Sequence, residues 1–220
     1  LYDRIVIICP TIEMAEHWLP FFISSVIGTL STNPKWILEF KIKDITEELK
    51  TKILFNATVL NFTTMIINKE TIDEDLNKLR FKITEKNCLA IGECGLDKLS
   101  KVDYDLQIFV FNEQIKLANE IKKPLIIHCV KAYQEVVQQL QQQNNQVPVI
   151  FHGFNKNKIL AQQLISQGFY LSFGKALQQP AIQELIKLLP AEKIFFETDD
   201  TAINIEEVYA SAAQALQIDI

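Results

Sequence analysis

The chain lacks a long uninterrupted apolar run, so no segment is expected to span a bilayer as a helix. Its opening residues, Leu1-Tyr2-Asp3-Arg4, hold no basic stretch followed by an apolar core; no secretory leader is expected, and the cytoplasm is the expected compartment. Cysteine is sparse and scattered, at Cys9, Cys88, Cys94 and Cys129, with no C-x-x-C pair. That spacing argues against a disulfide framework and predicts buried thiols in a reducing compartment. Positive charge is in deficit: 22 Lys and Arg against 27 Asp and Glu give a net charge of -5. Broad electrostatic attachment to nucleic acid is disfavoured, although a bound divalent ion could supply positive charge locally to a small phosphate-handling site. Neither G-x-G-x-x-G nor G-x-x-x-x-G-K-[ST] occurs, which removes the nucleotide-binding Rossmann and P-loop readings. There is no internal repeat, and the glutamine-rich tract 138–145 reads as an exposed helix end and loop.

What remains is an ordinary globular composition, 48% apolar and 22% charged, over a length that suits one domain, residues 1–220. From about residue 87 the pattern is regular. Short apolar runs at 87–92, 124–129, 148–152, 169–173 and 193–197 read as strands. Amphipathic stretches at 103–121, 132–143, 156–166, 180–189 and 205–216 read as helices, the first capped by Asp103. Strands apolar on both faces, separated by helices, imply a parallel sheet, either doubly wound or a (β/α) barrel. The first 70 residues are less periodic, with strands expected at 4–9 and 21–27 and a short helix at 13–18.

Four metal-capable side chains fall equivalently on four of these units. Glu93 follows Leu89-Ala90-Ile91-Gly92, His128 ends Leu125-Ile126-Ile127, His152 ends Val149-Ile150-Phe151, and Asp199 closes the run from Ile194 to Thr198. In a parallel barrel the carboxyl ends of the strands share one rim, where active sites form, so these four are expected to converge. A lone histidine after a strand is more often a packed or loop residue. Here, however, two of only three histidines, at 17, 128 and 152, end apolar strands. Two imidazoles and two carboxylates suit zinc, manganese or magnesium, as one ion or two. Such ions acidify water, and Asp199 or Glu93 could take its proton. Asp97 could orient a ligand or simply make a turn. Lys131 could meet a substrate phosphate or stand solvated at a helix start. Gly92, Gly95, Gly153 and Gly174 are expected to permit tight backbone geometry at the rim. His17, Trp18 and Trp36 read as exposed or packing residues.

Ala90-Ile91-Gly92-Glu93-Cys94-Gly95-Leu96-Asp97 resembles the G-E-x-G-L-D signature of TatD-type metal-dependent hydrolases. Leu125 to Cys129 resembles that family's second signature, Phe151-His152-Gly153-Phe154 its H-x-F segment, and Glu197-Thr198-Asp199 its E-T-D. Gln107 and Gln114 fall where the family has the helix feeding the His128 strand. The likeness runs over residues 70–215. It implies an amidohydrolase-like (β/α)8 TIM barrel with two divalent metals and phosphodiester cleavage of DNA. On that basis Glu93 would bridge the metals, His128 and His152 would complete one site, and Asp199 would serve the other and help activate water.

The family also opens with an H-x-H pair on its first strand, and this chain has none. Residues 4–9 are more similar to the family's second strand. Either an upstream segment is absent or the N-terminal third has diverged. Three readings stay open: an active nuclease on DNA or a small phosphoester, a catalytically degraded barrel kept as a binding protein, and a small-molecule amidohydrolase. A monomer or weak oligomer, without membrane attachment, is expected.

Overall fold

The computed structural model describes residues 70–84, 90–199 and 203–217. The strands expected at 4–9 and 21–27, the helix at 13–18, and Cys9, His17, Trp18, Trp36 and Cys88 lie outside those residues.

Five strands form one sheet: β1 (Ile91–Asp97), β2 (Leu125–Val130), β3 (Val149–Phe151), β4 (Tyr170–Phe173) and β5 (Ile194–Phe196). All neighbouring pairs are parallel, and the spatial order is the chain order, β1-β2-β3-β4-β5. A doubly wound sheet reverses its order at a switch point. A consecutive order without reversal is that of a barrel wall. Helices α2 (Tyr104–Ile121), α3 (Tyr133–Gln142), α4 (Lys158–Ser166) and α5 (Pro180–Ile186) supply the crossovers, and α6 (Ile205–Leu216) follows β5. Among the described residues no helix is long and apolar enough to cross a membrane.

Local chemistry accounts for these elements. The Asp103 side chain accepts the Leu106 N–H at 2.9 Å and starts α2, as expected. Lys122, left-handed at φ 56°, ends it, with Pro124 two residues beyond. Asn157 and Asn204 cap α4 and α6 in the same way. Leu125, Ile126 and Ile127 are all buried, as a barrel wall requires, with helices over its outer face and side chains packed inside it. Phe111, Phe151, Phe154, Phe173 and Phe195 are the largest wholly buried side chains, and each stabilises the fold by roughly 1.5–3 kcal/mol.

Helix α1 (Ile72–Lys82) was not anticipated. Its signal is short: three acidic residues in the first turn, and buried Ile72, Leu76, Leu79 and Ile83 at helical spacing. A 3-10 turn, Lys175–Gln178, also precedes α5, which stops at Ile186 rather than 189.

Candidate metal centre

The strand expected at 87–92 is observed at Ile91–Asp97, so Glu93, expected to follow its strand, is the third residue of β1, while His128, expected within 124–129, is the fourth residue of β2. β1 runs on because it is irregular. Ile91 pairs with Leu125 and Cys94 with Ile127, three residues advancing against two. Such a bulge redirects side chains without ending the ladder, and Glu93 sits within it. His152 and Glu197 lie just past β3 and β5 yet stay in register, because His152 N–H donates to Ile127 O at 3.1 Å and Glu197 N–H to Phe173 O at 3.0 Å. Backbone pairing therefore holds His128, His152 and Glu197 in register.

The side chains meet. Glu93 Oε2 lies 3.0 Å from His152 Nε2 and 3.6 Å from His128 Nδ1, and the two imidazole nitrogens are 3.1 Å apart. Ligand atoms held about 2.1 Å from a tetrahedral ion stand about 3.4 Å from one another. The three donors thus have the spacing of a metal-binding face. Glu93 and His152 are recessed, at 16% and 6% side-chain exposure, while His128 opens to solvent at 42%.

The expected set of four does not stay whole. Asp199 groups instead with His152 and Glu197, so His152 belongs to both candidate groups. Glu197 was left unassigned by sequence, although it opens the quoted Glu197-Thr198-Asp199. It is wholly buried. Its Oε1 accepts the Gly153 N–H at 2.6 Å and faces His152 Nδ1 at 3.5 Å, an ion contact without hydrogen-bond geometry. His152 Nδ1 and Glu197 Oε2 therefore remain buried without a hydrogen-bond partner. Buried, unsatisfied polar atoms of this kind suit a site that a cation completes.

The electrostatics agree. Burial alone would raise the Glu93 carboxyl, but His128 and His152 hold it at about 2. Burial alone would favour a neutral His152 ring, but Glu197 and Glu93 raise it to about 10. The Glu93–His152 contact enters both shifts, so it counts once as a source of stability. A proton thus occupies His152 in the metal-free state.

Asp97 makes the turn considered for it and lies near His128. Its Oδ1 accepts the Leu99 N–H at 2.7 Å in a turn, and its Oδ2 lies 3.8 Å from His128 Nε2. Buried Gln107 holds the same residue, accepting Asp97 N–H at 2.9 Å and donating to Asp97 O at 3.1 Å and Val102 O at 2.9 Å. Lys131 is exposed immediately after β2. Lys131 (φ 54°) and Asp199 (φ 48°) both have left-handed backbone on strand exits, where strain commonly accompanies function. Lys122, Asn144 and Gln217 share that conformation only as helix ends. Of the glycines, Gly95 is the tightest: with φ 135° it packs against the His128 carbonyl, leaving no room for a Cβ. Cys94 is buried and Cys129 half-buried, and both are free thiols.

A parallel β/α wall gathering imidazoles and carboxylates at its rim defines the metal-dependent hydrolase class of barrel. The sequence pattern of the family described as TatD related DNase matches residues 26–209, and the chain belongs to that family. It is 35% identical over 134 residues to YabD of Bacillus subtilis (strain 168), described as an uncharacterized metal-dependent hydrolase, covering 58% of this chain and 52% of that one. It is 29% identical over 133 residues to the 3'-5' ssDNA/RNA exonuclease TatD of Cronobacter sakazakii, covering 58% and 51%. The chain thus spans about half the length of these relatives. Among solved structures it is similar to a TatD family hydrolase of Entamoeba histolytica (TM-score 0.63, 16% identity, 71% of this chain and 67% of that). It is also similar to the TatD homologue YjjV of Escherichia coli K12 (TM-score 0.58, 20% identity, 67% and 63%). These structural likenesses establish the fold, so the five described strands are the wall of a TIM-type α/β barrel.

Proposed function

We propose that this chain is a metal-dependent phosphodiesterase acting on DNA. The observation that carries the reading is the mutual spacing of Glu93, His128 and His152 donors, 3.0 to 3.6 Å. In this reading residues 1–220 form one barrel domain, working as a monomer or weak oligomer. Glu93, His128 and His152 hold a divalent ion, with zinc, manganese and magnesium as the candidates. Asp199, with His152 and Glu197, would hold a second ion, and Glu93 would bridge the two as the family resemblance implies. When bound, such an ion polarises a phosphoryl oxygen and acidifies water.

The side chains divide the remaining work. Asp199 takes the proton of the attacking water as its oxygen bonds to phosphorus. The bond from phosphorus to the leaving oxygen breaks, and the proton that Asp199 took passes to that oxygen. Asp97 orients His128, and Lys131 meets a phosphate oxygen as a point charge. The recessed floor, with His152 6% exposed, limits competing water.

The test is cleavage of end-labelled single-stranded DNA by purified protein supplied with zinc, manganese or magnesium. Cleavage lost in EDTA and in His128→Ala is the expected result. Correctly folded, metal-loaded protein that cleaves no phosphodiester overturns it. One observation favours a second reading, a binding protein on a degraded barrel: no H-x-H pair occurs anywhere in the chain. At most one bound ion, with no turnover on phosphodiesters, esters or amides, would establish that alternative.

A further inference from the structure

Lysines crowd the rim that carries the metal centre. Lys98 and Lys101 follow β1, Lys131 follows β2, Lys156 and Lys158 follow β3, and Lys175 follows β4. All six are exposed. Lys98 pairs with Glu135. Lys101, Lys131, Lys156, Lys158 and Lys175 have no ion pair among the described residues. Among the described cations elsewhere, Lys78 pairs with Glu74 and Asp75, Arg80 with Glu113 and Glu120, Lys116 with Glu113 and Lys187 with Glu184, while Lys122, at the opposite end of the strands, has no ion pair. Lys193 lies over the Tyr170 ring, 4.1 Å from its centroid. Among the described residues, most lysines without a carboxylate partner therefore stand on this rim.

Helix stability does not explain these positions. Lys131 precedes Ala132, the N-cap of α3; Lys156 and Lys158 flank Asn157, the N-cap of α4; Lys175 opens a 3-10 turn; Lys101 stands two residues before Asp103. A helix N-terminus is a partial positive charge, so a cation there is unfavourable to the helix, and both become favourable once an anion lies between them. The nearby carboxylates are engaged otherwise. Asp97 accepts from Leu99 N–H, Asp103 from Leu106 N–H, Glu135 pairs with Lys98, and Glu197 is wholly buried. Adjacent strands are about 4.8 Å apart, so an arc from β1 to β4 spans roughly 14 Å, beyond the reach of a single phosphate.

We propose that Lys101, Lys131, Lys156, Lys158 and Lys175 form a phosphate-tracking arc that holds a single-stranded nucleic acid across the rim, several phosphates at once. The phosphodiester to be cut lies over Glu93, His128 and His152. A single strand fits because Glu93 and His152 are recessed, and a flexible backbone can dip to them where a stiff duplex rides above. The inference rests on the hydrolase reading for the chemistry but not for the binding.

The test measures the affinity of the full chain for fluorescent oligothymidylate of about ten nucleotides, by anisotropy in EDTA, across a salt series. Each contact to a single strand contributes about 0.7 to the salt slope, so each Lys→Ala change at 101, 156 or 175 should weaken binding about fivefold at 0.1 M salt. Lys122→Asn, which removes an exposed cation at the opposite end of the strands, should change neither affinity nor slope. Wild-type affinity and slope in the folded triple variant overturn the arc. Equal weakening by Lys122→Asn overturns it too, as does equal competition by polyglutamate, which would indicate a general polyanion surface. Tight, salt-dependent binding without any cleavage would remove the proposed hydrolysis and leave the arc. Cleavage with affinity insensitive to these lysines would do the reverse.

Discussion

Glu197 Oε1 stands 3.5 Å from Nδ1 of His152, the ring whose Nε2 lies 3.0 Å from Glu93. A carboxylate behind an imidazole fixes the ring's orientation and raises its basicity toward a metal. Glu197 is wholly buried, and its carboxylate is placed to orient the His152 ring.

Glu197→Gln is the conservative way to examine that part, because the amide keeps an oxygen for the Gly153 N–H bond at 2.6 Å. Zinc affinity, read by chelator competition, should fall about 10- to 100-fold, and the cobalt-substituted protein should show an altered visible spectrum. Unchanged affinity and spectrum in the folded variant would mean that Glu197 serves only to anchor Gly153.

The centre predicts a two-sided pH dependence of metal-free stability. His152 is raised from its ordinary 6.5 to about 10, so its contribution is complete below 6.5 and is lost as pH climbs through 10. Glu93 is lowered from 4.5 to about 2, so its contribution is present above 4.5 and disappears as pH falls toward 2. Metal must displace the His152 proton, and its affinity should therefore rise with pH up to that range. Urea denaturation and metal titration across pH 3 to 10, as outer limits of roughly that range, would check both; stability flat between 6.5 and 10 contradicts the first.

Gln107→Ala should remove three hydrogen bonds that clamp the end of β1, those to Asp97 N–H, Asp97 O and Val102 O. With partly buried partners left unsatisfied, a loss of about 1–3 kcal/mol is expected, measurable as a shift of the urea midpoint. Because Asp97 Oδ2 faces His128 at 3.8 Å, metal affinity should fall as well. A midpoint within experimental error of the wild type would contradict this account.

Gly95→Ala tests the approach of β1 to β2. The residue needs φ 135° and packs on the His128 carbonyl, so a methyl group there forces the strands apart at a metal-binding position. A cost of about 1–3 kcal/mol for the backbone alone is expected, together with weakened metal binding. Full metal affinity in the alanine variant would show that the ladder gives way without moving His128.

Local patterns in the sequence suffice for much of this molecule. Strands β2 to β5, the Asp103 cap, and helix α6 at Ile205–Leu216 match the reading made from periodicity and capping, because hydrophobic spacing and side-chain caps act over a few residues. The pairing of Glu93, His128 and His152 was legible for the same reason: each lies on or beside a short apolar strand, and parallel strands bring such positions together. Helix α1 was missed because its four buried residues stand in a charged stretch whose partner surface is not visible locally. Tertiary structure alone decided the rest. The extra residue in β1 placed Glu93 inside the strand rather than after it, a matter of register against β2. The buried contact of Glu197 with His152 joins residues 45 positions apart through three strands. The division of the expected four donors into two groups sharing His152 depends on separations of a few ångströms, which chain order does not specify and packing does.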